Sequence, residues 1–378
     1  MKSQIPTAKP QQNPNSQLPT RRRSGAAAVI WLAAGLPAFS DDGPVRLGGP
    51  KAEQPQAAVG PDGRAYVVWA EDDDIRVAAA PKVGAAFGEP AKVGTVTRLM
   101  SGMRRGPRVA ADGKTVVVTA IGMNAGDLVA WRSADGGKSW AGPATVNGRP
   151  DAAREGLQDL AAGKAGRFHA AWLDRRSGKT QIWTAVSTDG GATWAEAKAY
   201  ESPSGTVCEC CHPSIAADGR GRVAILFRNA LEGNRDMHRV DSPDDGRTWG
   251  KAVKLGTGSW PLGSCPMQGG RITVASGGKE NAVWVREQDL LLTGSGGGER
   301  RIGKGLSPWL AEGPGGVFAV WQREKSGGGI QILCPGGKPE RLAEDGAWPV
   351  VAGDPKAGVI AAWEEGGAIR VQALTQGR

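Results

Sequence analysis

The sequence has few tyrosines, few histidines and little excess charge outside its first residues. It contains 2 Tyr, 5 Phe and 3 His among 378 residues. The formal net charge is +9, but residues 1–40 hold five basic side chains and no acidic one, which leaves the rest of the chain close to balance. No basic stripe with interleaved aromatic residues is present. We therefore expect no nucleic-acid partner.

The sequence also lacks an apolar run of membrane-spanning length. Its main apolar segment, Gly25–Leu36, is too short to cross a bilayer comfortably. It follows three arginines (Arg21–Arg23) and precedes the small-x-small sequence Ala38-Phe39-Ser40, an order typical of a signal peptide. Residues 1–20 are rich in Pro, Gln, Asn and Ser, a composition typical of disorder.

These features predict that residues 1–40 are a disordered lead and a signal peptide, cleaved after Ser40. An uncleaved anchor is the alternative. The mature protein is then expected to be periplasmic or extracellular, with no membrane attachment. No Cys follows the apolar segment closely, which disfavours a lipoprotein.

Gly and Trp, by contrast, are abundant, with 58 and 14 residues. One pattern recurs seven times at intervals of about 40–55 residues, the length of a four-stranded propeller blade. It usually consists of Pro, a short apolar stretch, a turn containing Gly, and an alternating apolar run. The apolar runs end at Trp69, Val118, Trp172, Phe227, Trp284, Trp321 and Trp363.

The repeats predict an all-β fold, a β-propeller of seven blades over residues 41–378. Six blades is the alternative, if the first or fifth repeat is not a true blade. The seventh repeat stops at its third strand, Ile369–Leu374, whereas Pro44–Leu47 precedes the first repeat as an orphan strand. We expect this N-terminal strand to complete the last blade and close the ring, which removes exposed sheet edges.

A second motif, S-x-D-x-G-x-[ST]-W, occurs in three successive repeats, at residues 133–140, 187–194 and 242–249. Its Asp carboxylate can accept backbone N–H bonds across a tight turn. Its Gly permits a positive φ, and its Trp buries a large ring. The motif therefore predicts a folded hairpin turn.

This motif resembles the Asp-box, or BNR, repeat of the sialidase superfamily. The resemblance implies a propeller with each box in the turn between the third and fourth strands of a blade. That turn lies on the rim opposite the family's active site. Asp135, Asp189 and Asp244 are therefore interpreted as structural residues.

The sequence departs from the sialidases in the residues that carry their reaction. The family cleaves sialic acid with an arginine triad, an acid/base Asp, and a Tyr nucleophile assisted by Glu. Here the only tyrosines are Tyr66 and Tyr200, and none occurs in the last three repeats, where the family places its nucleophile. The family's Arg-Ile-Pro motif is also absent. The resemblance therefore implies the fold more strongly than the activity.

The loops that join the second and third strands of each repeat are charged, and propeller topology places them on one face. Arginines and carboxylates at the mouth of a channel can bind an anionic or carbohydrate ligand and supply acid/base groups. A solvated rim is the alternative interpretation. The catalytic candidates are Arg175, Arg228, Arg235 and Asp236.

The loop that enters the fourth repeat is rich in sulfur, with Cys208, Cys210, Cys211 and His212 before Pro213. Cys265 occupies the equivalent place before Pro266 in the next repeat, so we expect it to lie close to them. Thiolate and imidazole ligands suit copper or zinc. Disulfides, with Cys265 as one partner, and reactive thiols are the alternatives. Cys334, in the sixth repeat, is expected to be an unpaired buried thiol.

Two functions follow from these features. The first is a binding or scaffold propeller whose site for a metal, ligand or protein partner is the cysteine-rich loop. The second is an exo-glycosidase that uses the arginines and carboxylates of the same face instead of a Tyr nucleophile.

Overall fold

The computed structural model describes residues 37–39, 43–275, 277–294, 298–325 and 328–376. Thirty strands in this part of the chain form seven sheets. None of the described residues belongs to a helix with the length and apolar character needed to span a membrane. The proposed lead and signal peptide lie outside the described residues, except for Pro37–Phe39, which forms strand β1.

The first three blades each contain four antiparallel strands in chain order. Blade 1 comprises β3 (Ala52–Val59), β4 (Ala65–Glu71), β5 (Asp74–Ala80) and β6 (Ala91–Thr95). Blade 2 comprises β7 (Arg108–Asp112), β8 (Thr115–Ile121), β9 (Leu128–Ser133) and β10 (Ala141–Thr145). Blade 3 comprises β11 (Gln158–Ala162), β12 (Phe168–Asp174), β13 (Gln181–Ser187) and β14 (Ala195–Tyr200).

The next three blades repeat this order, and blade 4 gains a short extra strand. Blade 4 comprises β16 (Ser214–Ala217), β17 (Val223–Leu231), β18 (Asn234–Ser242) and β19 (Val253–Lys254), with β15 (Thr206–Val207) paired to β17. Blade 5 comprises β20 (Gly270–Val274), β21 (Glu280–Arg286), β22 (Asp289–Gly294) and β23 (Glu299–Lys304). Blade 6 comprises β24 (Leu306–Gly313), β25 (Gly316–Gln322), β26 (Ile330–Leu333) and β27 (Glu340–Ala343).

Blade 7 is built from both ends of the propeller. Its strands β28 (Ala347–Asp354), β29 (Gly358–Glu365) and β30 (Ala368–Gln376) are joined by β2 (Val45–Leu47), which pairs antiparallel with β30. Val45 lies opposite Val371, and Leu47 lies opposite Ile369. This pairing confirms the predicted ring closure. The prediction of seven blades is also confirmed, because the first and fifth repeats each form a four-stranded sheet.

Tight turns join the first two strands of the blades, as the turn between β3 and β4 illustrates. The Gly60 N–H donates to the carbonyl of Arg64 at 2.9 Å, and the Gly63 N–H donates to that of Gly60 at 2.9 Å. Gly63 has a φ of 84°, a backbone conformation that residues other than glycine rarely adopt. The Asp-Gly pairs in the sequence therefore mark real turns.

The tryptophans that end the second strands are packed between neighbouring sheets. Trp69, Trp172, Trp321 and Trp363 are among the largest fully buried side chains. Blade 7 and blade 1 share one apolar cluster, which contains Trp363 and Trp69 and so spans the point of closure. A blade therefore obtains its core from its neighbours and not from its own strands alone.

The first strands of the blades surround a central channel with a cavity of ≈ 250 Å³. Most of its lining is Ala, Val, Leu and Ile, and the large or charged exceptions include Arg271, Trp309 and Glu312. The loops that enter these first strands lie at one mouth of the channel. We call this side of the molecule the top face.

The three Asp-box turns join the third and fourth strands of blades 2, 3 and 4, as predicted. In the first box, Asp135 Oδ1 accepts the backbone N–H of Ser139 at 3.0 Å, and Oδ2 accepts its hydroxyl at 2.6 Å. The same bonds join Asp189 to Thr193 and Asp244 to Thr248. Each carboxylate is thus bound within its own turn.

The buried Trp of a second strand is expected to contribute more stability than the Asp-box Trp of the same blade. Trp172 is fully buried, whereas the ring of Trp194 is half-buried. Trp172→Ala should lower the free energy of unfolding by about 3–5 kcal/mol because it leaves a large cavity. Trp194→Ala should cost clearly less in the same urea titration followed by circular dichroism. Equal losses would contradict this account of the core.

The Asp boxes should make the stability depend on pH at the acid end. Hydrogen bonds from Thr248 and Ser242 lower the pKa of Asp244 to about 2, below its value of about 3.9 in unfolded chains. This stabilisation is therefore present above about pH 4 and is lost as the pH falls towards 2.

Asp244→Asn should consequently lower the urea midpoint at pH 7, and the gap from the unsubstituted protein should narrow between pH 4 and pH 2. A gap that stays constant over that range would show that the ionised carboxylate is not what the turn requires.

Candidate functional site

The cysteine-rich loop is held in place by the long second strand of blade 4. Strand β15 pairs with the end of β17, with Val207 opposite Asn229. The next residue, Cys208, donates its N–H to the carbonyl of Arg228 at 2.9 Å. The chain then turns back, and the Cys211 N–H lies 3.5 Å from the carbonyl of Cys208. The loop therefore presents its cysteines beside the top of blade 4.

Arg228 connects this loop to the loop that enters blade 5. Its guanidinium is buried and donates to three backbone carbonyls: those of Gln268 at 3.0 Å, Arg235 at 2.5 Å and Val285 at 2.8 Å. Gln268 lies three residues after Cys265, so these bonds fix the position of the second cysteine-bearing loop relative to the first. Arg228 is thus a structural clamp between blades 4 and 5.

Four sulfur atoms meet where the two loops touch. Cys208 Sγ lies 3.6 Å from that of Cys210, 3.5 Å from that of Cys211 and 3.9 Å from that of Cys265. All four sulfur atoms lie within 4.8 Å of one another. We call Cys208, Cys210, Cys211 and Cys265 the four-cysteine cluster. The expected proximity of Cys265 to the blade 4 loop is confirmed.

Within the cluster, Cys210 and Cys265 form a disulfide that joins two blades, with their Cα atoms 6.5 Å apart. Cys208 and Cys211 are free and buried, whereas Cys210 and Cys265 are half-buried. Cys334 is also free and buried, as predicted. Of the alternatives raised by the sequence, a disulfide that includes Cys265 is therefore present.

The two free thiols of the cluster have different environments. A hydrogen bond with Cys211 and the positive charges of Arg235 and Arg228 lower the pKa of Cys208 to about 7. Burial raises the pKa of the Cys211 thiol. Cys208 is therefore the thiol of this pair that ionises first.

His212, which the sequence grouped with these cysteines as a metal ligand, lies in a different group of side chains. Its ring stacks on Trp309 with a centroid distance of 5.8 Å, and the sulfur cluster that can share one ion does not include it. Burial and the charges of nearby arginines lower its pKa well below the usual value, so the ring is neutral.

Sequence analysis did not identify the arginines that surround Trp309 at the channel mouth. The guanidiniums of Arg271, Arg104 and Arg108 lie 4.5, 4.8 and 6.0 Å from its ring centroid. Asp159 is buried beside them and forms ion pairs with Arg271 and Arg108. Arg104 and Arg108 lie on either side of Pro107, which starts the second repeat, and the Cys-His run lies just before Pro213, which starts the fourth. This position beside a repeat-initiating proline is the sequence signal that points to the two arginines.

Arg104 ties the loop before blade 2 to the far side of the ring. Its Nη2 donates to the carbonyls of Ser307 at 2.7 Å and Pro349 at 2.8 Å, at the starts of blades 6 and 7. Its burial lowers its pKa to about 9. A buried positive region therefore lies at the top of the channel.

The four rim candidates do not form one group with free functional atoms. Arg175 is exposed in blade 3, pairs with Glu155 at 3.2 Å and lines a surface cavity of ≈ 400 Å³. Asp236 accepts the Trp260 N–H at 2.8 Å and pairs with Lys254 at 2.9 Å. Arg228 is the clamp described above, and the Arg235 carbonyl is one of its acceptors.

Neither tyrosine has the free phenol that a nucleophile requires. Tyr66 is fully buried, and its hydroxyl lies 3.5 Å from the carbonyl of Gly113. The Tyr200 hydroxyl accepts a bond from the Asn229 amide at 2.9 Å, and its ring lies 4.6 Å from that of Phe227. Both side chains therefore have packing roles.

The sulfur pairing predicts the number of titratable thiols. Unfolded, unreduced protein should react with three equivalents of a thiol reagent, from Cys208, Cys211 and Cys334, because one disulfide protects the other two cysteines. In the folded protein Cys334 should react far more slowly, because this thiol is buried. A count of one thiol in the unfolded state would indicate a second disulfide and contradict this pairing.

Comparison with known proteins agrees with the repeat pattern. A family model for a BNR repeat-like domain matches residues 107–267. No curated protein shows significant sequence similarity to the chain.

Three solved structures with a similar fold are 11–14% identical to this chain in sequence. A single-residue mutant of NanB sialidase from Streptococcus pneumoniae is 11% identical, with a TM-score of 0.54 over 92% of this chain and 72% of that one. A catalytically inactive variant of virginiamycin B lyase from Staphylococcus aureus is 14% identical, with a TM-score of 0.52 over 88% and 98% of the two chains.

An alpha-L-arabinanase from Penicillium chrysogenum is 12% identical, with a TM-score of 0.50 over 91% and 98% of the two chains. At such low sequence identity, the structural similarity establishes the fold and leaves the chemistry open. The match over residues 107–267, the Asp boxes and the seven sheets together show a β-propeller of the sialidase-like fold that carries BNR-like repeats.

Proposed function

We propose that this protein is an exported metal-binding propeller, in which the reduced four-cysteine cluster holds one zinc or copper(I) ion on the top face. The observation that carries the proposal is the approach of four sulfur atoms, from two different blades, to within 4.8 Å of one another. Soft thiolate ligands favour these two ions over hard cations such as calcium or magnesium.

The distances from Cys208 to the other three sulfur atoms support a tetrahedral ion once reduction has separated Cys210 from Cys265. Zinc–sulfur bonds of about 2.3 Å in a tetrahedron place the sulfur atoms about 3.8 Å apart. The distances from Cys208 Sγ to the other three, 3.6, 3.5 and 3.9 Å, are close to that value. Copper(I) can use three of the same four ligands.

The charges around the cluster support the proposal independently. Four thiolates around one divalent ion carry two excess negative charges. The guanidiniums of Arg228 and Arg235 lie close enough to favour the Cys208 thiolate. The buried Arg228 and the half-buried Arg235 therefore offset the charge that a metal–thiolate centre would bring into this part of the protein.

The disulfide between Cys210 and Cys265 makes metal binding depend on reduction. Oxidised protein offers only the thiols of Cys208 and Cys211, whereas reduced protein offers four. Export, as the N-terminal sequence predicts, would place the cluster in an oxidising compartment, where the disulfide persists until a reductant opens it.

The exo-glycosidase alternative gains no support from the described rim residues. Arg228 and Asp236 are committed to contacts that hold the loops together, and the two phenols are packed. The predicted anionic or carbohydrate ligand of the top face stays a prediction. Its candidate location is the ≈ 400 Å³ cavity beside Arg175 and Arg149.

Metal titration of reduced, oxygen-free protein tests the proposal. Zinc is titrated in competition with a chromophoric chelator, and copper(I) in competition with bicinchoninate. We expect one ion of zinc or copper(I) to bind per chain. Cys208→Ser should weaken binding at least about 100-fold, because even changes outside the ligand set cost 10–100-fold. Cys334→Ser is the matched control, since this buried thiol is outside the cluster, and should bind as the unsubstituted protein does.

Oxidised protein, with the Cys210–Cys265 disulfide intact, should bind at least as weakly as Cys208→Ser. Reduced protein that takes up neither ion stoichiometrically would refute the proposal. So would an equal loss of affinity in the Cys334→Ser control.

A further inference from the structure

The arrangement of the four sulfur atoms points to a second activity: we infer that the cluster is a thiol–disulfide relay, in which one disulfide moves between the half-buried pair Cys210–Cys265 and the buried pair Cys208–Cys211. This activity goes beyond metal binding and does not require a metal.

Cys208 is the central atom of the relay. Its sulfur lies within 3.9 Å of each of the other three, so it is in contact with both ends of the disulfide and with the second free thiol. Thiol–disulfide exchange proceeds by attack of one sulfur on another, and contact between the reacting atoms is its main geometric requirement. No movement of a blade is needed to begin it.

The exchange consists of two balanced steps. In the first, Cys208 gives up its proton and its sulfur bonds to that of Cys210, and the Cys210–Cys265 bond breaks so that Cys265 leaves as a thiolate and takes up a proton. In the second, deprotonated Cys211 bonds to Cys208, and the Cys208–Cys210 bond breaks so that Cys210 leaves and is protonated. One disulfide and two thiols are present before and after, so no oxidant or reductant is consumed.

The local backbone favours the product of the second step. Cys208 and Cys211 have the C-x-x-C spacing of redox-active pairs, and the turn between them brings their sulfur atoms to 3.5 Å. Cys210 lies between them in sequence but faces Cys265 of the neighbouring loop. One short segment thus carries a partner for each of the two disulfides.

The two positions of the disulfide differ in what they expose and join. With Cys210–Cys265 bonded, the loops entering blades 4 and 5 are covalently linked across 55 residues of sequence. With Cys208–Cys211 bonded, that link is absent, and the two half-buried cysteines carry thiols. Those thiols are the ones that a disulfide of another protein can reach. The buried pair then stores the oxidising equivalent.

Disulfide mapping on metal-free protein tests the relay. Protein with three free thiols, kept in EDTA and incubated under native conditions, is quenched with acid and its thiols are labelled with N-ethylmaleimide. After reduction, the released cysteines are labelled with a heavy form of the reagent and located by peptide fragmentation. The unsubstituted protein should contain both the Cys210–Cys265 and the Cys208–Cys211 disulfides.

Two substitutions separate the steps. Cys211→Ser should stop the relay after the first step, so that a Cys208–Cys210 disulfide accumulates and the Cys208–Cys211 disulfide disappears. Cys208→Ser should leave only Cys210–Cys265. Cys334→Ser, outside the cluster, should give the pattern of the unsubstituted protein.

Detection of Cys210–Cys265 alone in the unsubstituted protein would overturn the inference, and that measurement does not depend on whether a variant folds. Because EDTA is present throughout, the outcome is independent of the metal titration. A protein that binds metal but does not shift its disulfide would refute the relay alone, and the reverse result would refute only the metal site.

Discussion

The structure depends on the packing of each blade against its two neighbours, and therefore on closure of the ring. A four-stranded sheet with two apolar faces cannot bury both by itself. Strand β2 completes blade 7 by pairing with β30, and the apolar cluster shared by blades 7 and 1 then becomes continuous. Closure also brings the first strands together around the channel. Every loop on the top face is positioned by that arrangement.

Rigid blades allow loops from distant parts of the sequence to meet with fixed geometry. Cys208 and Cys265 are 57 residues apart, yet their sulfur atoms lie 3.9 Å apart because their loops enter adjacent blades. Arg228 secures this approach by donating to backbone carbonyls on both sides of the blade boundary. Arg104 does the same across the channel, between the loop before blade 2 and the starts of blades 6 and 7. The arginines of the top face thus act as supports for its loops.

The candidate site could be located from sequence only in part. The position of the cysteines before the initiating prolines of adjacent repeats was enough to place them together. The same reasoning placed His212 with them, but the ring instead stacks on Trp309. Charge in the rim loops suggested a catalytic group at Arg228 and Asp236. Arg228 instead donates to the carbonyl of Val285, and Asp236 accepts the N–H of Trp260. The periodicity of the sequence does not predict these hydrogen-bond partners.

The sequence by itself determined the fold, the closing strand and the Asp-box turns, because each follows from local periodicity and from turn residues repeated at a regular spacing. It favoured seven blades over six, and the structure settled that number. It also determined that neither tyrosine lies in the last three repeats. Only the tertiary structure decided which cysteines are bonded, which are buried, and which arginines surround the channel mouth. Those properties depend on distances between loops of different blades, and such distances exist only once the ring has closed.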